Sequence, residues 1–333
     1  MTSDRKPKVA DVAQRAGVSL ATVDRVMNGR GGVAPHTVAR VEDVLRTMAK
    51  SGRPTSIEDI SPSRVLLAGD GSAFVRSLSA ALQSAFAEAG ATAEVSYVDR
   101  QNPAALVTSI TACVALGCKS LVIQAVDTIE VRHAIDAAAA AGVAVVCVTT
   151  DVPNSRRHAY VGLDNRAAGR TAGLLMSRCC HGPGTLAVVW GGQTYRSHEE
   201  RESGFRSVLR AERPDLKCLE VITGDYTPPL ARRLTDDAIA GHPDLVGIYC
   251  VGGGIAGVAE AVENAKRPKR LVLIGHNYNP DTQPYLLSGA ITAVVHQDVQ
   301  RIATDVLAAL LDRTPDAPRR AVRTEIITRE NFA

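Results

Sequence analysis

A regular alternation of short apolar segments and alanine-rich segments runs from Arg64 almost to the end of this 333-residue chain. The apolar segments are rich in Val, Ile and Leu, which is typical of buried strands. The alanine-rich segments between them have helical length and spacing, as in Ala73–Ala89 and Thr128–Ala141. Strands that alternate with helices form parallel sheets with helices on both faces, so the pattern predicts an α/β fold.

Eleven strands are predicted: Val65–Ala68, Glu94–Val98, Ser120–Ala125, Val143–Thr149, Ala159–Leu163, Thr185–Trp190, Leu219–Thr223, Leu245–Val251, Leu271–Gly275, Ile291–His296 and Ala321–Ile327. A twisted open sheet rarely exceeds about ten strands. We therefore expect the strands to be divided between two lobes, each a doubly wound parallel sheet.

The residues before this alternation predict a pair of short helices joined by a tight turn. Val12 and Ala13 fall on one face of the first helix, and Val23 and Val26 fall on one face of the second. Gly17 stands between them, where a tight turn requires a positive φ. This spacing is typical of a helix-turn-helix, whose second helix enters the major groove of double-stranded DNA.

The N-terminal residues resemble the headpiece of the lactose-repressor (LacI/GalR) family of bacterial transcription regulators. The resemblance rests on Asp11-Val12-Ala13, Ala16-Gly17-Val18-Ser19, Thr22-Val23, Arg25-Val26, Asn28-Gly29, and Val33, Thr37 and Val41 of a third helix that begins near Pro35. It implies an all-α headpiece over residues 1–50. The second helix would contact DNA through Ser19, Leu20, Ala21, Thr22, Asp24, Arg25 and Asn28.

The resemblance also implies a periplasmic-binding-protein-like effector domain of type I over residues 64–333, crossed three times by the chain. We expect the first lobe at about 64–163 and 292–315, and the second lobe at about 164–289 and 320–333. The crossings would lie near Leu163–Asn165, Ser288–Thr292 and Pro315–Arg320. Residues 51–63, rich in Pro, Gly and Ser, are predicted to be a hinge or linker. Glu58 and Asp59 make that hinge unusually acidic for the family.

The composition limits the classes of protein to which this chain can belong. Residues 1–60 hold ten Lys or Arg and seven Asp or Glu, and the remaining residues hold 28 of each, so the net charge of +3 falls on the DNA-reading part. The seven cysteines include no Cys-x-x-Cys pair, which argues against a disulfide framework or a zinc site. No signal-peptide core or long apolar span is present, so a cytoplasmic protein without a membrane partner is expected.

One glycine-rich motif could suggest an enzyme. Gly252-Gly253-Gly254-Ile255-Ala256-Gly257 matches G-x-G-x-x-G, but the strand that follows ends in His276-Asn277, without the acidic residue that a dinucleotide site requires. His198 with Glu199 and Glu200 could be an acid–base group or the exposed start of a helix. No nucleophile elbow or phosphate-binding loop occurs. We therefore expect no enzyme and no cofactor, and a strand-to-helix turn beside a ligand.

An effector pocket is predicted between the lobes, at the carboxyl ends of the parallel strands. The candidate residues are Asp70, Phe74, Asp151, His198, His276, Asn277 and Gln297. By resemblance to sugar-binding members, Phe74 would pack on a sugar face, and Asp151, Asn277 and Gln297 would bind hydroxyl groups. An anionic ligand would need cations, for which only Arg196 and Arg201 stand nearby, so a neutral sugar or polyol is favoured.

The sequence thus predicts a ligand-controlled transcription regulator that acts as a homodimer on a pseudo-palindromic operator. The alternative is a cytoplasmic α/β solute-binding protein or enzyme with an incidental N-terminal helix pair. A signal peptide or a complete catalytic constellation would favour that alternative, and the sequence shows neither.

Overall fold

The computed structural model describes residues 9–50, 57–69, 71–192, 195–266, 270–312 and 320–332. The chain divides into two compact units, Met1–Pro54 and Thr55–Ala333.

The N-terminal unit is a three-helix headpiece of α1 (Val9–Ala16), α2 (Leu20–Met27) and α3 (Pro35–Lys50). Gly17 has the positive φ of 60° that the sequence predicts for the turn. The Ser19 Oγ accepts a hydrogen bond from the Thr22 N–H at 3.2 Å and so caps α2. The helices share a small apolar core formed by Val12, Ala13, Ala16, Val23 and Val41.

The larger unit alternates strands and helices. The strands are β1 (Ser63–Ala68), β2 (Ala93–Val98), β3 (Ser120–Ile123), β4 (Ala144–Val148), β5 (Ala159–Gly162), β6 (Gly184–Trp190), β7 (Leu216–Thr223), β8 (Leu245–Gly252), β9 (Val272–His276), β10 (Ala293–His296), β11 (Arg320–Ala321) and β12 (Glu325–Ile327). The helices are α4 (Ala73–Glu88), α5 (Pro103–Ala115), α6 (Ile129–Ala140), α7 (Asn165–Cys179), α8 (Arg196–Glu212), α9 (Pro228–Gly241), α10 (Ile255–Asn264), α11 (Gln283–Ser288) and α12 (Val299–Leu311).

The strands form two sheets, one in each lobe. The first lobe has the order β2-β1-β3-β4-β5-β11, and all of its strand pairs are parallel. The second lobe has the order β7-β6-β8-β9-β10-β12, in which β12 alone runs antiparallel to its neighbour. The carboxyl ends of the parallel strands in both sheets are therefore the natural place for a ligand.

The second sheet is covered on both faces because its strands alternate their side chains. Leu186 and Val188 pack into one core with α7 and α8, whereas Ala187 and Val189 pack into another with α9, α10 and α11. This period of two within a strand buried on both sides explains why β6 is apolar without interruption from Leu186 to Trp190.

Two predicted lobe boundaries are wrong. Strand β10 was assigned to the first lobe, but it pairs with β9 in the second sheet, so the second crossing follows His296 instead of lying at 288–292. The predicted strand Ala321–Ile327 divides, because β11 pairs with β5 and β12 pairs with β10. The third crossing therefore follows β11, and most of the predicted range 315–320 lies outside the described residues. The apolar pattern of a segment predicts a strand but does not indicate which other strand it pairs with.

The predicted linker at 51–63 is wrong in its second half. Residues 51–56 lie outside the described residues, but Ile57–Asp59 form a 3₁₀ turn and Ile60 is fully buried in the core of the first lobe. Ser63 already begins β1, and its hydroxyl lies 2.7 Å from that of Ser120 on β3. Burial of one isoleucine therefore ties this segment to the larger unit.

Two expectations about the chain as a whole concern its thiols and its helices. All seven cysteines are free thiols. Within the described ranges, none of the helices has the length and apolarity needed to cross a bilayer.

Candidate functional site

A cavity of about 330 Å³ lies between the two lobes of the larger unit. The first lobe lines it with Gly71, Ser72, Phe74, Val75, Arg76, Arg100, Gln124 and Thr149. The second lobe and the crossing line it with Tyr195, Ser197, His198, Arg201, Tyr226, Pro228, Cys250, Gly252, Gly253, Gly254, Ile255, Ala256, His276, Asn277, Asn279, Asp281 and Gln297. We call it the interlobe cavity. Its volume suits a small polar molecule.

The interlobe cavity gathers most of the effector residues that the sequence predicts. Those that line it are Phe74, His198, His276, Asn277 and Gln297. Asp70 lies outside the described residues. Asp151 does not line the cavity, although it follows β4 as predicted.

Asp151 is instead part of a buried ion pair within the first lobe. Its two carboxylate oxygens accept hydrogen bonds from Nε and Nη2 of Arg157, the second at 2.9 Å. The Asp151 side chain is 1% exposed and that of Arg157 is 15% exposed. Asp151 thus pairs with Arg157 in a two-point geometry and does not line the cavity where the sequence predicts it to hold a ligand hydroxyl.

The glycine-rich segment forms the predicted turn between β8 and α10. Gly253 and Gly254 have φ values of 74° and 69°, which residues with a Cβ adopt with difficulty. A Cβ at Gly253 would lie 2.3 Å from the Tyr226 ring, so the absence of a side chain also allows a close approach. The turn brings the N-terminus of α10 to the cavity wall.

Arg201 lies on the wall of the second lobe, on the same face of α8 as His198, three residues earlier. It is 4% exposed. Its Nε donates to Asn165 Oδ1 at 2.8 Å, and its Nη1 donates to the Val251 carbonyl at 3.0 Å. The guanidinium is therefore fixed in place by two neutral acceptors.

Both histidines of the cavity are held in the neutral form. Burial, with a further contribution from the charge of Arg201, lowers the pKa of His198 to about 3. Burial and then the same charge lower the pKa of His276 well below its usual value of 6.5. The His276 Nε2 lies 2.8 Å from the Tyr249 hydroxyl. At neutral pH each ring can donate one hydrogen bond and accept another, but neither ring contributes a charge to the cavity.

Two amides approach each other where the chain crosses between the lobes. Gln297 Nε2 donates to Asn277 Oδ1 at 3.2 Å. The Gln297 side chain is buried, and its Oε1 has no hydrogen-bond partner. Asn277 has a positive φ of 65°, as does Thr149 across the cavity at 62°. Strained backbone and an unpaired buried oxygen at one place are typical of a binding site.

Several contacts join the lobes around the cavity. The Ala73 N–H at the start of α4 donates to Asp281 Oδ2 at 3.2 Å. Arg196 lies 3.6 Å from Asp127. The Arg100 guanidinium lies 3.6 Å from the centre of the Tyr226 ring, a cation–π distance. These contacts hold the two lobes together across the cleft.

The second helix of the headpiece carries the predicted DNA-contacting residues. Leu20 is 57% exposed, and Ala21 and Arg25 are exposed beside it. Asp24 is engaged by its neighbours, since its two oxygens accept from Asn28 Nδ2 at 2.7 Å and from Arg30 Nη1 at 3.1 Å. Because these two partners offset the negative charge of Asp24, its carboxylate would repel the phosphates of DNA less strongly.

Two protein families match the chain, the first over the headpiece and the second over the larger unit. Residues 8–49 match the bacterial regulatory proteins of the lacI family, and residues 64–314 match the periplasmic binding protein domain. The chain is a LacI-family regulator. Its resemblance to that family and its two-lobed fold class are confirmed by these matches, and neither matched family is an enzyme family.

The chain of this LacI-family regulator is also similar to two binding proteins. It is 24% identical over 226 residues to the ribose import binding protein of Bacillus subtilis, covering 66% of this chain and 72% of that protein. It is 25% identical over 156 residues to the D-allose-binding periplasmic protein of Escherichia coli, covering 46% and 50% of the two chains.

Solved structures show the same fold. A solute-binding protein from Burkholderia graminis in complex with D-arabinose superposes with a TM-score of 0.75 at 21% identity, over 82% of this chain and 97% of that one. One from Agrobacterium vitis with bound D-fucose superposes with a TM-score of 0.73 at 21% identity, over 80% and 95%.

Sequence reasoning missed several lining residues of the regulator's cavity. Arg100, Tyr226 and Asp281 each lie in a loop after β2, β7 or β9, and therefore at the same edge as the residues that were found. The rule of strand carboxyl ends could have included them. Arg201 was named only as a possible anion ligand, and its position on the face of His198 could have placed it in the cavity.

Proposed function

We propose that this protein is a transcription regulator that binds operator DNA through its headpiece. Its affinity for the operator would change, in either direction, when a sugar-like effector fills the interlobe cavity. The observation that carries the proposal is the combination, in one chain, of a lacI-type headpiece match and a cavity lined by both lobes. A ligand that contacts both lobes favours the closed arrangement over an open one, which gives it differential affinity for two states.

The chemistry of the lining supports a polyhydroxylated effector. Asn277 and Gln297 present amide groups, two neutral histidines present ring nitrogens, and Phe74 presents an apolar ring. Amides pair with hydroxyl groups, and an aromatic face packs against the apolar face of a sugar. The relatives named for ribose and D-allose are consistent with this class.

The proposed partner is double-stranded DNA with a pseudo-palindromic operator, and the proposed active form is a cytoplasmic homodimer. One headpiece of three short helices offers a small contact surface, so specific binding needs two of them on one site. The proposed DNA contacts are Leu20, Ala21 and Arg25 on the exposed face of α2, with Ser19, Thr22, Asp24 and Asn28 beside them. We propose residues 1–50 as the DNA-reading domain.

The experiment uses the full chain. DNA sites are selected from a random pool, binding is measured by fluorescence anisotropy, and a panel of sugars and polyols is added. Arg25→Ala should lose DNA affinity but keep a thermal shift with the active sugar. Gln297→Ala should bind DNA like the parent but respond to the sugar about tenfold more weakly, since it loses hydrogen bonds to buried groups. A chain that selects no DNA sequence would refute the proposal.

A further inference from the structure

The residues that lead into β1 are docked on the first lobe. Ile57–Asp59 form one 3₁₀ turn, and the Ile60 N–H donates to the Ile57 carbonyl at 3.2 Å. The Ile60 side chain is 0% exposed and packs into the core of the first lobe, and Ile57 packs against the same core. We call residues 57–62 the connector. Its position is thus fixed by the lobe that follows it in the chain.

Two buried serines hold the middle of the connector. The Ser120 Oγ, on β3, donates to the Ile60 carbonyl at 2.8 Å. The Ser63 Oγ, at the start of β1, lies 3.0 Å from the same carbonyl and 2.7 Å from the Ser120 Oγ. Because these groups are buried, the Ile60 carbonyl would lose its partners if the connector left the lobe without reaching water. The backbone of Ile60 is therefore anchored as well as its side chain.

Lys119, which precedes β3, holds the connector near both of its ends. The Lys119 N–H donates to the Pro62 carbonyl at 3.0 Å. The Lys119 Nζ donates to the Glu58 carbonyl, also at 3.0 Å. The connector is thus bound to the first lobe at its beginning, at its middle and at its end.

Docking shortens the chain that links a headpiece to its lobe. Helix α3 ends at Lys50 and the connector begins at Ile57, so six residues, 51–56, separate them. An extended chain spans at most about 3.3–3.6 Å per residue, so release of the six connector residues would add up to about 20 Å of reach. One base pair shifts a DNA half-site by only about 3.4 Å. A docked connector can therefore restrict which half-sites two headpieces reach together, and a released one cannot.

We propose that the connector, anchored by Ile60, sets the spacing between the half-sites of the operator. A dimer fixes the separation of its two first lobes, so two docked connectors give the two headpieces one preferred separation. Base sequence would be read by α2, and half-site spacing would be read through the connectors. Ile60 is a positioning residue in this scheme, since its side chain lies in the core of the lobe. The inference rests on the proposed function, because it requires a homodimer on a two-fold operator.

The test varies the spacing of the palindrome that the full chain selects from a random pool. Sites with one or two base pairs inserted or removed between the half-sites are compared by fluorescence anisotropy. Two linked contacts bind about 10²–10⁴ more tightly than one, and this gain is lost where the geometry forbids both. The parent should therefore bind each altered site at least about tenfold more weakly than the selected site. A parent that binds every spacing within about threefold overturns the inference.

Variants assign the spacing preference to Ile60. Ile60→Ala should reduce the loss of affinity on altered sites to less than about threefold, and it should weaken binding to the selected site because the headpieces are no longer held in place. Ile60→Val keeps a branched apolar side chain and should keep the parent's preference. Ile302→Ala is the matched control, since Ile302 is also 0% exposed in the same core but lies on α12. The control should lower Tm without relaxing the spacing. An Ile60→Ala protein with the parent's preference overturns the inference.

Thermal unfolding without DNA shows whether each variant folds. If Ile60→Ala does not, Lys119→Met decides instead, since Lys119 is exposed and its Nζ holds the Glu58 carbonyl. Losing this hydrogen bond should reduce the affinity loss on altered sites about threefold. Lys217→Met is the control, since Lys217 is exposed on β7 in the second lobe, and it should change nothing. An unchanged loss in Lys119→Met overturns the inference.

The same measurements separate this inference from the proposed function. If the chain selects no DNA sequence, or only a single half-site, the inference fails together with the proposed dimer on a two-fold operator. If the chain selects a palindrome but every variant keeps the parent's spacing preference, the regulator stands and the connector inference fails. If the preference relaxes in Ile60→Ala and not in Ile302→Ala, both are supported.

Discussion

The crossing of α7 and α8 makes Gly169 a sensitive position. A Cβ built at Gly169 would lie 1.9 Å from the backbone carbonyl oxygen of Arg201, well inside the 3.0 Å that real Cβ atoms keep. Gly204 on the other helix has the same relation to the Arg166 carbonyl, at 2.2 Å. Because backbone meets backbone at both points, no side-chain rotation can make room.

Gly169→Ala should therefore destabilise the protein although it improves helix propensity. Alanine gains about 0.8–1.0 kcal/mol over glycine in a helix interior. Overpacking of a tight core costs about 1–3 kcal/mol and occasionally more, and the helices here must separate by about 1 Å to reach 3.0 Å. Because backbone must move, the upper end of that cost applies, about 3 kcal/mol, and the net loss after the gain in helix propensity is about 2 kcal/mol. Such a loss lowers Tm by roughly 4–8 °C for a large domain.

The assay is thermal and urea unfolding of the full chain, and Gly241→Ala is the control. Gly241 ends α9, and a Cβ there would meet nothing within 4 Å, so the control should be neutral or slightly stabilising. Gly169→Ala should also weaken effector binding, because the displaced backbone belongs to Arg201. If Gly169→Ala were as stable as the control, the close packing of α7 on α8 would be refuted.

Three further changes test other parts of the structure. His198 and His276 stay neutral in the folded protein, whereas in the unfolded chain they take up protons below pH 6.5. The free energy of unfolding should therefore fall as the pH drops from 6.5 toward 4, by up to about 1.4 kcal/mol per pH unit for each ring. In urea unfolding, the free energy of unfolding of His198→Gln should depend less steeply on pH. Asp151→Ala should lower the free energy of unfolding in urea by about 3–5 kcal/mol because it leaves Arg157 buried and unpaired. Its effector affinity in calorimetry should stay near that of the parent. A large loss of affinity without loss of stability would instead show that Asp151 contacts the effector. Arg25→Ala should reduce discrimination between operator and random DNA by about 1–3 kcal/mol in anisotropy titrations, and an equal loss on both DNAs would make Arg25 a phosphate contact.

The fold was largely predictable because its determinants are local. The turn at Gly17 depends on one residue and its neighbours, and it is found as predicted. The apolar strands were equally visible, since a strand buried on two faces must be apolar throughout. Strand pairing is not local, which is why β10 and β11 were placed in the wrong lobes.

The cavity was predictable in position but not in detail. Asn277 and Gln297 were found because they follow strands, and the structure brings them to 3.2 Å of each other. Asp151 follows a strand too, but Arg157 six residues later takes its carboxylate, and no pattern in the sequence indicates that pairing. The count of cations near the predicted site included Arg196 and Arg201 but not Arg76 and Arg100, which the fold of the first lobe brings into the cavity lining.

The threefold crossing of the chain has a consequence for biosynthesis. Five of the six strands of the first lobe leave the ribosome early, but α12, whose Ile302, Val306 and Leu310 pack into that lobe's core, follows about 150 residues later. At about 5–20 residues per second that interval is roughly 7–30 s. The second lobe has β6 to β10 in one continuous stretch and can acquire most of its core first. The lobe that is translated first thus waits for α12 while most of the second lobe is made, and its apolar strands need protection during that interval.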